Sequence, residues 1–365
     1  MFNNIYKDKV VLVTGHTGFK GGWLSLWLNE LGAKVWGFSN GVPTEPSFYE
    51  ILDRRIFAGE INGDISNCES IRSAIKKIKP DFIFHLAAQS LVRVGYEKPL
   101  ETVHTNIIGT VNLLESVRIE NIPCDILVIT SDKCYENRGW EYGYREVDAL
   151  GGYDPYSASK AAAEIVTHAW YRSYFMEESR LGKIATGRAG NVIGGGDYAK
   201  DRIVPDAVRA LIAGKPIPVR NPDATRPWQH VLDCLSGYLW LGACLQKSDK
   251  GSQYVGAFNF GPPLASNRTV KELVEEILKT WHGEWRHVEE KNAPHEATYL
   301  YVASDKAFNV LKWKSTWDFA KSVYQSADWY LRRHQIKESQ MMGYSIHQIE
   351  QYCDDARRTG QVWTR

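Results

Sequence analysis

Two short motifs in this chain carry side chains that could move protons. Tyr156 and Lys160 are four residues apart in a helical pattern, so the phenol and the ammonium share one helix face. The cation can then hold the phenol partly ionised at neutral pH, which indicates hydride chemistry at a hydroxyl group. Asp132 and Lys133 follow an apolar run, and open α/β sheets gather ligands at the carboxyl ends of their strands. This second pair predicts a separate proton-transfer step on the same substrate.

Each pair also has a simpler interpretation. Tyr156 and Lys160 could be an ordinary exposed helix pair, and Asp132 and Lys133 could form a surface salt bridge. Ser131, at the end of the preceding strand, adds a hydroxyl to the first pair and favours catalysis there. Consecutive residues on a strand point in opposite directions, so a salt bridge between Asp132 and Lys133 is awkward. We therefore interpret both pairs as catalytic.

Strand and helix patterns alternate along the first two thirds of the chain. Unbroken apolar runs predict buried strands at 9–14, 34–38, 61–65, 81–88, 125–131 and 183–191. Apolar residues at helical spacing predict helices at 21–31, 102–120, 155–175 and 230–244. This alternation predicts an α/β fold with a Rossmann-type doubly wound parallel sheet.

A glycine-rich loop follows the first predicted strand and opens the next helix. Gly15 can make the turn, Gly18 can let the backbone approach a pyrophosphate, and Gly21 can let the helix pack on the strand. The phosphates would meet the helix N-terminus. A purely structural turn is the alternative, but the strand before and the helix after favour a dinucleotide site.

Composition excludes several other classes of protein. The 365 residues carry 44 Lys and Arg against 43 Asp and Glu, so the net charge of +1 gives no field toward nucleic acid or anionic membranes. The six cysteines are too far apart in sequence for a CxxC pair, and the ten histidines lack ligand spacing, so we predict no metal. Without an 18-residue apolar run or a signal-like start, we expect a cytoplasmic protein with no membrane partner.

The glycine spacing and the Tyr156–Lys160 pair together resemble the extended short-chain dehydrogenase/reductase family. The resemblance implies catalysis by Ser131, Tyr156 and Lys160 with NAD as cofactor. The second strand ends in Ser39 and Asn40. It offers neither the acid that would bind the ribose of NAD nor the arginine that would bind the 2′-phosphate of NADP, and the missing arginine disfavours NADP more than the missing acid disfavours NAD. The expected cofactor contacts are Gly15, Thr17, Gly18, Phe19, Lys20, Gly21, Ser39, Asn40, Asp64, Ile65, Leu86, Ala87, Ala88, Asn106, Tyr156 and Lys160.

The Asp132-Lys133 form, with the motifs that contain Arg93 and Arg226, is similar to that of the CDP-glucose 4,6-dehydratases within this family. The resemblance implies that CDP-glucose or a related nucleotide sugar is the substrate. Tyr156 would take the 4-hydroxyl proton, Lys133 the C5 proton, and Asp132 would protonate the leaving 6-hydroxyl. Lys133 could instead position a water or stabilise an enolate. Another 4,6-dehydratase, a sugar-nucleotide 4-epimerase and a non-catalytic NAD-sensing regulator are the alternative functions.

The expected substrate contacts combine diphosphate-binding arginines with residues that the resemblance places on the sugar nucleotide. They are Gln89, Asn191, Arg202, Arg220, Arg226, Glu296 and Tyr301, and Arg188 is a further candidate cation. We expect residues 1–191 and 227–258 to bind NAD. Residues 192–226 and 259–330 would form a smaller mixed α/β substrate-binding domain, followed by a helical extension at 331–365. By resemblance, the helices at 102–120 and 155–175 form the face of a homodimer, which could pair into a tetramer.

Overall fold

A parallel sheet organises the computed structural model, which describes residues 1–289 and 299–365. The strands are β1 Val10–Thr14, β2 Lys34–Ser39, β3 Phe57–Asn62, β4 Phe82–His85, β5 Asp125–Ile129, β6 Ile184–Arg188, β7 Val192–Ile193, β8 Ile217–Val219, β9 Thr225–Pro227, β10 Gln229–His230, β11 Gly256–Asn259, β12 Asn267–Thr269 and β13 Trp285–His287. Seven of them form one sheet in the order β11-β6-β5-β4-β1-β2-β3, and every neighbouring pair is parallel. The predicted doubly wound sheet is confirmed.

Helices cover both faces of this sheet. The α-helices in the part of the chain that the structure describes are α1 Phe19–Glu30, α2 Cys68–Ile78, α3 Val92–Glu97, α4 Pro99–Val103, α5 Gly109–Ile119, α6 Pro155–Trp170, α7 Ile203–Ile212, α8 Val231–Gln246, α9 Val270–Thr280, α10 Phe319–Gln335 and α11 Glu338–Arg358. A π-helical turn at His104–Ile108 joins α4 to α5, so the predicted helix at 102–120 is one rod with a local irregularity. None of the helices within the described ranges has the length and apolar character that a membrane crossing needs.

Two apolar cores bury the central strands on both faces, which explains why the sequence predicts these strands. All five residues of β5 are buried, because one face packs on α8 and the other on the α2–α5 side. The larger core also takes in α1, α10 and α11, and it holds Trp27, Trp329 and Trp363. The C-terminal helices are therefore part of the main core.

The structure corrects several predicted boundaries. The strand expected at 61–65 is β3, at Phe57–Asn62, which lies at the sheet edge and has side chains that alternate in burial. Ile65, in the loop that follows, is buried in the smaller of the two cores. The fourth, fifth and sixth strands end two or three residues early, because the chain turns into the loops that carry polar side chains. The segment 192–197 begins with the short strand β7, which pairs with β10. Strand β11 was missed.

The remaining strands form small pairs beyond the carboxyl edge of the main sheet. Strand β8 pairs with β13, and β9 pairs with β12. Helices α7 and α9 pack against these pairs. They form the side of a cleft that faces the sheet edge.

Candidate active site

A cleft of about 1350 Å³ lies between the carboxyl edge of the sheet and the small strand pairs. The loops after β1, β4, β5 and β6 line one side, and residues of the α7–β9 region line the other. Strands β1 and β4 are neighbours whose connections diverge to opposite faces, and such switch points are where ligands bind in open α/β sheets.

The glycine-rich loop at the start of α1 leaves no room for side chains. Gly15 has a φ of +73°, and a Cβ there would lie 2.8 Å from the Ala87 amide nitrogen. A Cβ on Gly21 would lie 2.1 Å from the Gly15 carbonyl oxygen. Lys20, in the first turn of α1, borders the cleft beside free helix amides. This cradle fits the pyrophosphate of a dinucleotide.

The end of β2 forms the next part of the wall. The Thr17 hydroxyl donates to the Gly41 carbonyl at 2.6 Å and is hydrogen-bonded to the Ser39 hydroxyl at 3.0 Å. Asn40 donates to Asp64 at 3.3 Å, so Asp64 lies behind Asn40 and supports it. Ile65 borders the cleft directly, as do the small residues after β4; these are Leu86, Ala87 and Ala88.

Asn106 and Gln89 tie the loop after β4 to the neighbouring helices. Asn106 accepts from the Gln89 amide at 2.8 Å and donates to Ser159 Oγ at 2.8 Å, so it joins the π turn, the loop and α6. The Gln89 side-chain amide donates to Thr102 Oγ1 at 2.9 Å. Both side chains thus hold the wall together, and Gln89 borders the cleft.

Ser131, Asp132 and Lys133 form a 3₁₀ turn immediately after β5. Ser131 Oγ accepts from the Lys133 amide at 3.3 Å and donates to Asp132 Oδ1 at 2.9 Å. Asn191 donates to Asp132 Oδ2 at 3.2 Å. Asp132 is buried, Lys133 is half-buried, and both border the cleft. The turn therefore places an acid and an amine side by side.

Tyr156 and Lys160 lie on the first turns of α6, which Asp154 caps by accepting from the Ser157 amide at 3.0 Å. Burial raises the pKa of Tyr156 to about 12, against a lowering by a hydrogen bond with Ser131. Burial, together with Lys20, lowers the pKa of Lys160 to about 8. The expectation that Lys160 holds the phenol partly ionised at neutral pH is not met in this structure, because desolvation of the phenolate outweighs the lowering of its pKa by Ser131 and Arg202.

Arg188 is a structural cation and not a diphosphate ligand. Its guanidinium is buried, donating to Glu164 at 2.9 Å and to the Tyr135 hydroxyl at 2.7 Å. Thr186 also donates to Glu164 at 2.7 Å, and so does Thr130. This network joins α6 to β5 and β6 beneath the catalytic residues.

The other predicted arginines do border the cleft. Arg202 pairs with Asp197 at 2.7 Å, and Arg220 pairs with Asp201 at 2.9 Å. Arg226, on β9, faces the cleft from the same side. Three cations near one wall suit a diphosphate.

Among the residues that the structure describes, the predicted substrate contact Tyr301 does not border the cleft. Tyr301 packs beside Gly143, and its carbonyl accepts from the Tyr144 amide at 3.0 Å; its neighbour Leu300 borders the cleft in its place. Glu296 lies outside the described residues. Tyr153 and Trp228 border the cleft and were missed. Trp228 lies only two residues after the predicted Arg226, which was the available signal.

Comparison with known proteins identifies the family. A family model described as GDP-mannose 4,6 dehydratase matches residues 12–326. The chain belongs to this family. It is 42% identical over 362 residues to a CDP-glucose 4,6-dehydratase of Salmonella typhimurium strain LT2. The alignment covers 97% of this chain and 99% of that relative. The chain is 26% identical to a dTDP-glucose 4,6-dehydratase of Xanthomonas campestris, covering 88% and 92%.

Solved structures share the fold. A dTDP-glucose 4,6-dehydratase from Bacillus anthracis in complex with NAD has a TM-score of 0.73 and 23% identity, covering 90% of this chain and 98% of that one. A UDP-glucose 4-epimerase from Thermotoga maritima with UDP-glucose has a TM-score of 0.76 and 21% identity, covering 90% and 100%. The predicted resemblance to the 4,6-dehydratases is confirmed by the family match.

Proposed function

We propose that the protein is a CDP-glucose 4,6-dehydratase, which converts CDP-glucose to CDP-4-keto-6-deoxyglucose and water. The decisive observation is that one cleft is bordered both by Tyr156 with Lys160 and by the turn of Ser131, Asp132 and Lys133, in which Ser131 donates to Asp132 at 2.9 Å. One substrate can therefore meet the hydride tyrosine and the acid–amine turn at the same time. A 4-epimerase would need only the first of these groups.

NAD fits the glycine cradle at the start of α1. Gly15 and Gly21 leave the space that a Cβ would fill, and the amides of the helix N-terminus suit a pyrophosphate. The bound cofactor supplies a hydride acceptor that is restored within one turnover. We propose the predicted cofactor contacts as its site, with Asp64 acting through Asn40 and Asn106 acting through the loop after β4.

Tyr156 accepts the proton of the 4-hydroxyl in the first step. Because burial raises its pKa to about 12, the phenol must first lose its own proton to solvent before it can accept another, and a hydrogen bond with Ser131 lowers that pKa and so favours the phenolate. Lys160 is mostly positive at neutral pH, with a pKa of about 8, and stabilises the phenolate as it forms.

Lys133 and Asp132 carry out the loss of water. The 4-ketone makes the C5 hydrogen acidic, Lys133 accepts that proton, and Asp132 gives a proton to the departing 6-hydroxyl. Lys133→Ala should leave exchange of hydride at C4 measurable and stop solvent deuterium from reaching C5. Loss of neither reaction would show that Lys133 is not the base.

We also propose the arrangement around this chemistry. Arg202, Arg220 and Arg226 bind the diphosphate from the small domain, 192–226 with 259–330, while 1–191 with 227–258 binds NAD and 331–365 extends the core. The enzyme is a cytoplasmic homodimer or tetramer, and its product leads to deoxysugars of bacterial surface polysaccharide such as O-antigen.

The test is incubation of the purified protein with the CDP, dTDP, UDP and GDP forms of glucose. We expect CDP-glucose to give the fastest formation of a 4-keto-6-deoxy product, measured by its absorbance in alkali. Tyr156→Phe is the control and should form none. A product that keeps its 6-hydroxyl would indicate an epimerase, and no product from any of the four would contradict the proposal.

A further inference from the structure

The turn at Gly190 and Asn191 is shaped around the Asp132 carboxylate. A Cβ on Gly190 would lie 1.8 Å from Asp132 Oδ2, so no side chain fits there. Asn191 has a φ of +50°, in the left-handed region that non-glycine residues rarely adopt, and its amide donates to Asp132 Oδ2 at 3.2 Å. Backbone held in this way persists only where neighbouring structure fixes it.

Gln229 is the residue that fixes the turn. Its side chain is buried, and its Nε2 donates to the Gly190 carbonyl at 3.1 Å and to the Phe260 carbonyl at 2.9 Å. Its backbone amide donates to the Asn191 carbonyl at 3.3 Å. One side chain therefore connects the turn to the end of β11, while Gln229 itself lies behind the wall that Asn191 and Trp228 form.

We infer that Gln229 is a positioning residue, which sets the orientation of the Asp132 carboxylate for protonation of the leaving 6-hydroxyl by fixing the Gly190–Asn191 turn. This role rests on the proposed dehydratase function. The first step, oxidation at C4, uses Tyr156 and Lys160 on α6. The side-chain hydrogen bonds of Gln229 go instead to the carbonyls of Gly190 and Phe260, and neither residue belongs to α6.

The two steps should consequently separate in a variant at this position. If the carboxylate is misplaced, C4 oxidation continues while water loss slows, so the reduced nicotinamide accumulates on the enzyme and shows its near-ultraviolet absorbance. General damage to the structure would slow both steps together. The ratio of the two rates distinguishes positioning from a merely structural role.

The test compares Gln229→Met with Gln361→Met in the holoenzyme with CDP-glucose. Gln361 is equally buried and also donates to a backbone carbonyl, that of Lys314 at 2.8 Å, in the C-terminal region. We expect Gln229→Met to lower turnover by roughly tenfold to a hundredfold, with C4–H cleavage in a single turnover within about twofold of the parent. Gln361→Met should keep both rates.

Two further variants keep the test decisive if Gln229→Met folds poorly. Asn191→Gly tolerates the left-handed backbone but loses the amide, and it should show the same excess of reduced cofactor. Adding Gln229→Met to Asp132→Asn should cost no further activity, because both act through one group.

Equal slowing of C4 cleavage and turnover, or additive losses in the double variant, would overturn the inference. Failure of the proposed function looks different, since the parent enzyme would then make no 4-keto-6-deoxy product.

Discussion

Lys160→Met should stabilise the cofactor-free protein while it abolishes activity. Lys160 is 5% exposed, and burial followed by the charge of Lys20 lowers its pKa from 10.5 to about 8. Between these values the unfolded chain binds more protons than the folded one, so stability rises with pH across this window and the full penalty applies below pH 8. At roughly 1.4 kcal/mol per pKa unit the penalty is about 3 kcal/mol. For 365 residues, with an unfolding entropy of roughly 2 cal/mol/K each, its removal raises Tm by about 4 °C.

Thermal unfolding followed by circular dichroism measures this effect, on protein stripped of bound nucleotide at pH 7 and at pH 10. The gain should be largest at pH 7 and smaller at pH 10, where Lys160 is neutral in the folded state and partly neutral in the unfolded state. Lys183→Met is the matched control; Lys183 lies 3.3 Å from the buried Asp125 carboxylate, so its loss should lower Tm. A Lys160→Met protein no more stable than the parent at pH 7, or equally stabilised at both pH values, would refute the reasoning.

Two more predictions follow from buried contacts of the site. Glu164→Gln breaks an ion pair in which both side chains are 3% exposed, and it should lower the free energy of unfolding, measured by chemical denaturation, by about 3–5 kcal/mol. Glu115→Gln, in a partly exposed pair, is the control and should lower it by less than about 1 kcal/mol. Equal losses of stability would contradict the assignment of a buried network. Gly190→Ala should displace the Asp132 carboxylate and abolish product formation, measured by the ketone assay, in a protein that circular dichroism shows to be folded. Gly343→Ala, where a Cβ meets open space, is the control and should stay active. An active Gly190→Ala protein would contradict the packing of Gly190 against Asp132.

The central part of the fold was predictable because its strands are buried on both faces. Strands β1, β4 and β5 are unbroken apolar runs, and the glycine loop fixes the first crossover. The edges were not predictable in the same way. Strand β11 has four residues and only two are buried, so it lacks an apolar run, and the alternating β3 was placed four residues late.

The parts of the site that depend on neighbours in sequence were also predictable. Tyr156 and Lys160 are four residues apart in a helix, so they share a face whether or not that face is buried. The 3₁₀ turn keeps Asp132 beside Lys133. Burial itself could not be read from the motifs, although it sets the high pKa of Tyr156.

Contacts between distant parts of the chain were equally inaccessible. Arg188 resembles the other arginines in sequence, and only its contact with Glu164 shows that it is structural. Gln229 reaches Gly190 across 39 positions of the chain.

The central claim is that hydride leaves C4 of the hexose and returns to C6 of the same molecule. CDP-glucose carrying deuterium at C4 tests it directly, with the product examined by nuclear magnetic resonance and mass spectrometry. The account predicts that the deuterium appears in the new methyl group of CDP-4-keto-6-deoxyglucose. A methyl group without deuterium, or a product that keeps deuterium at C4 and the 6-hydroxyl, would contradict it.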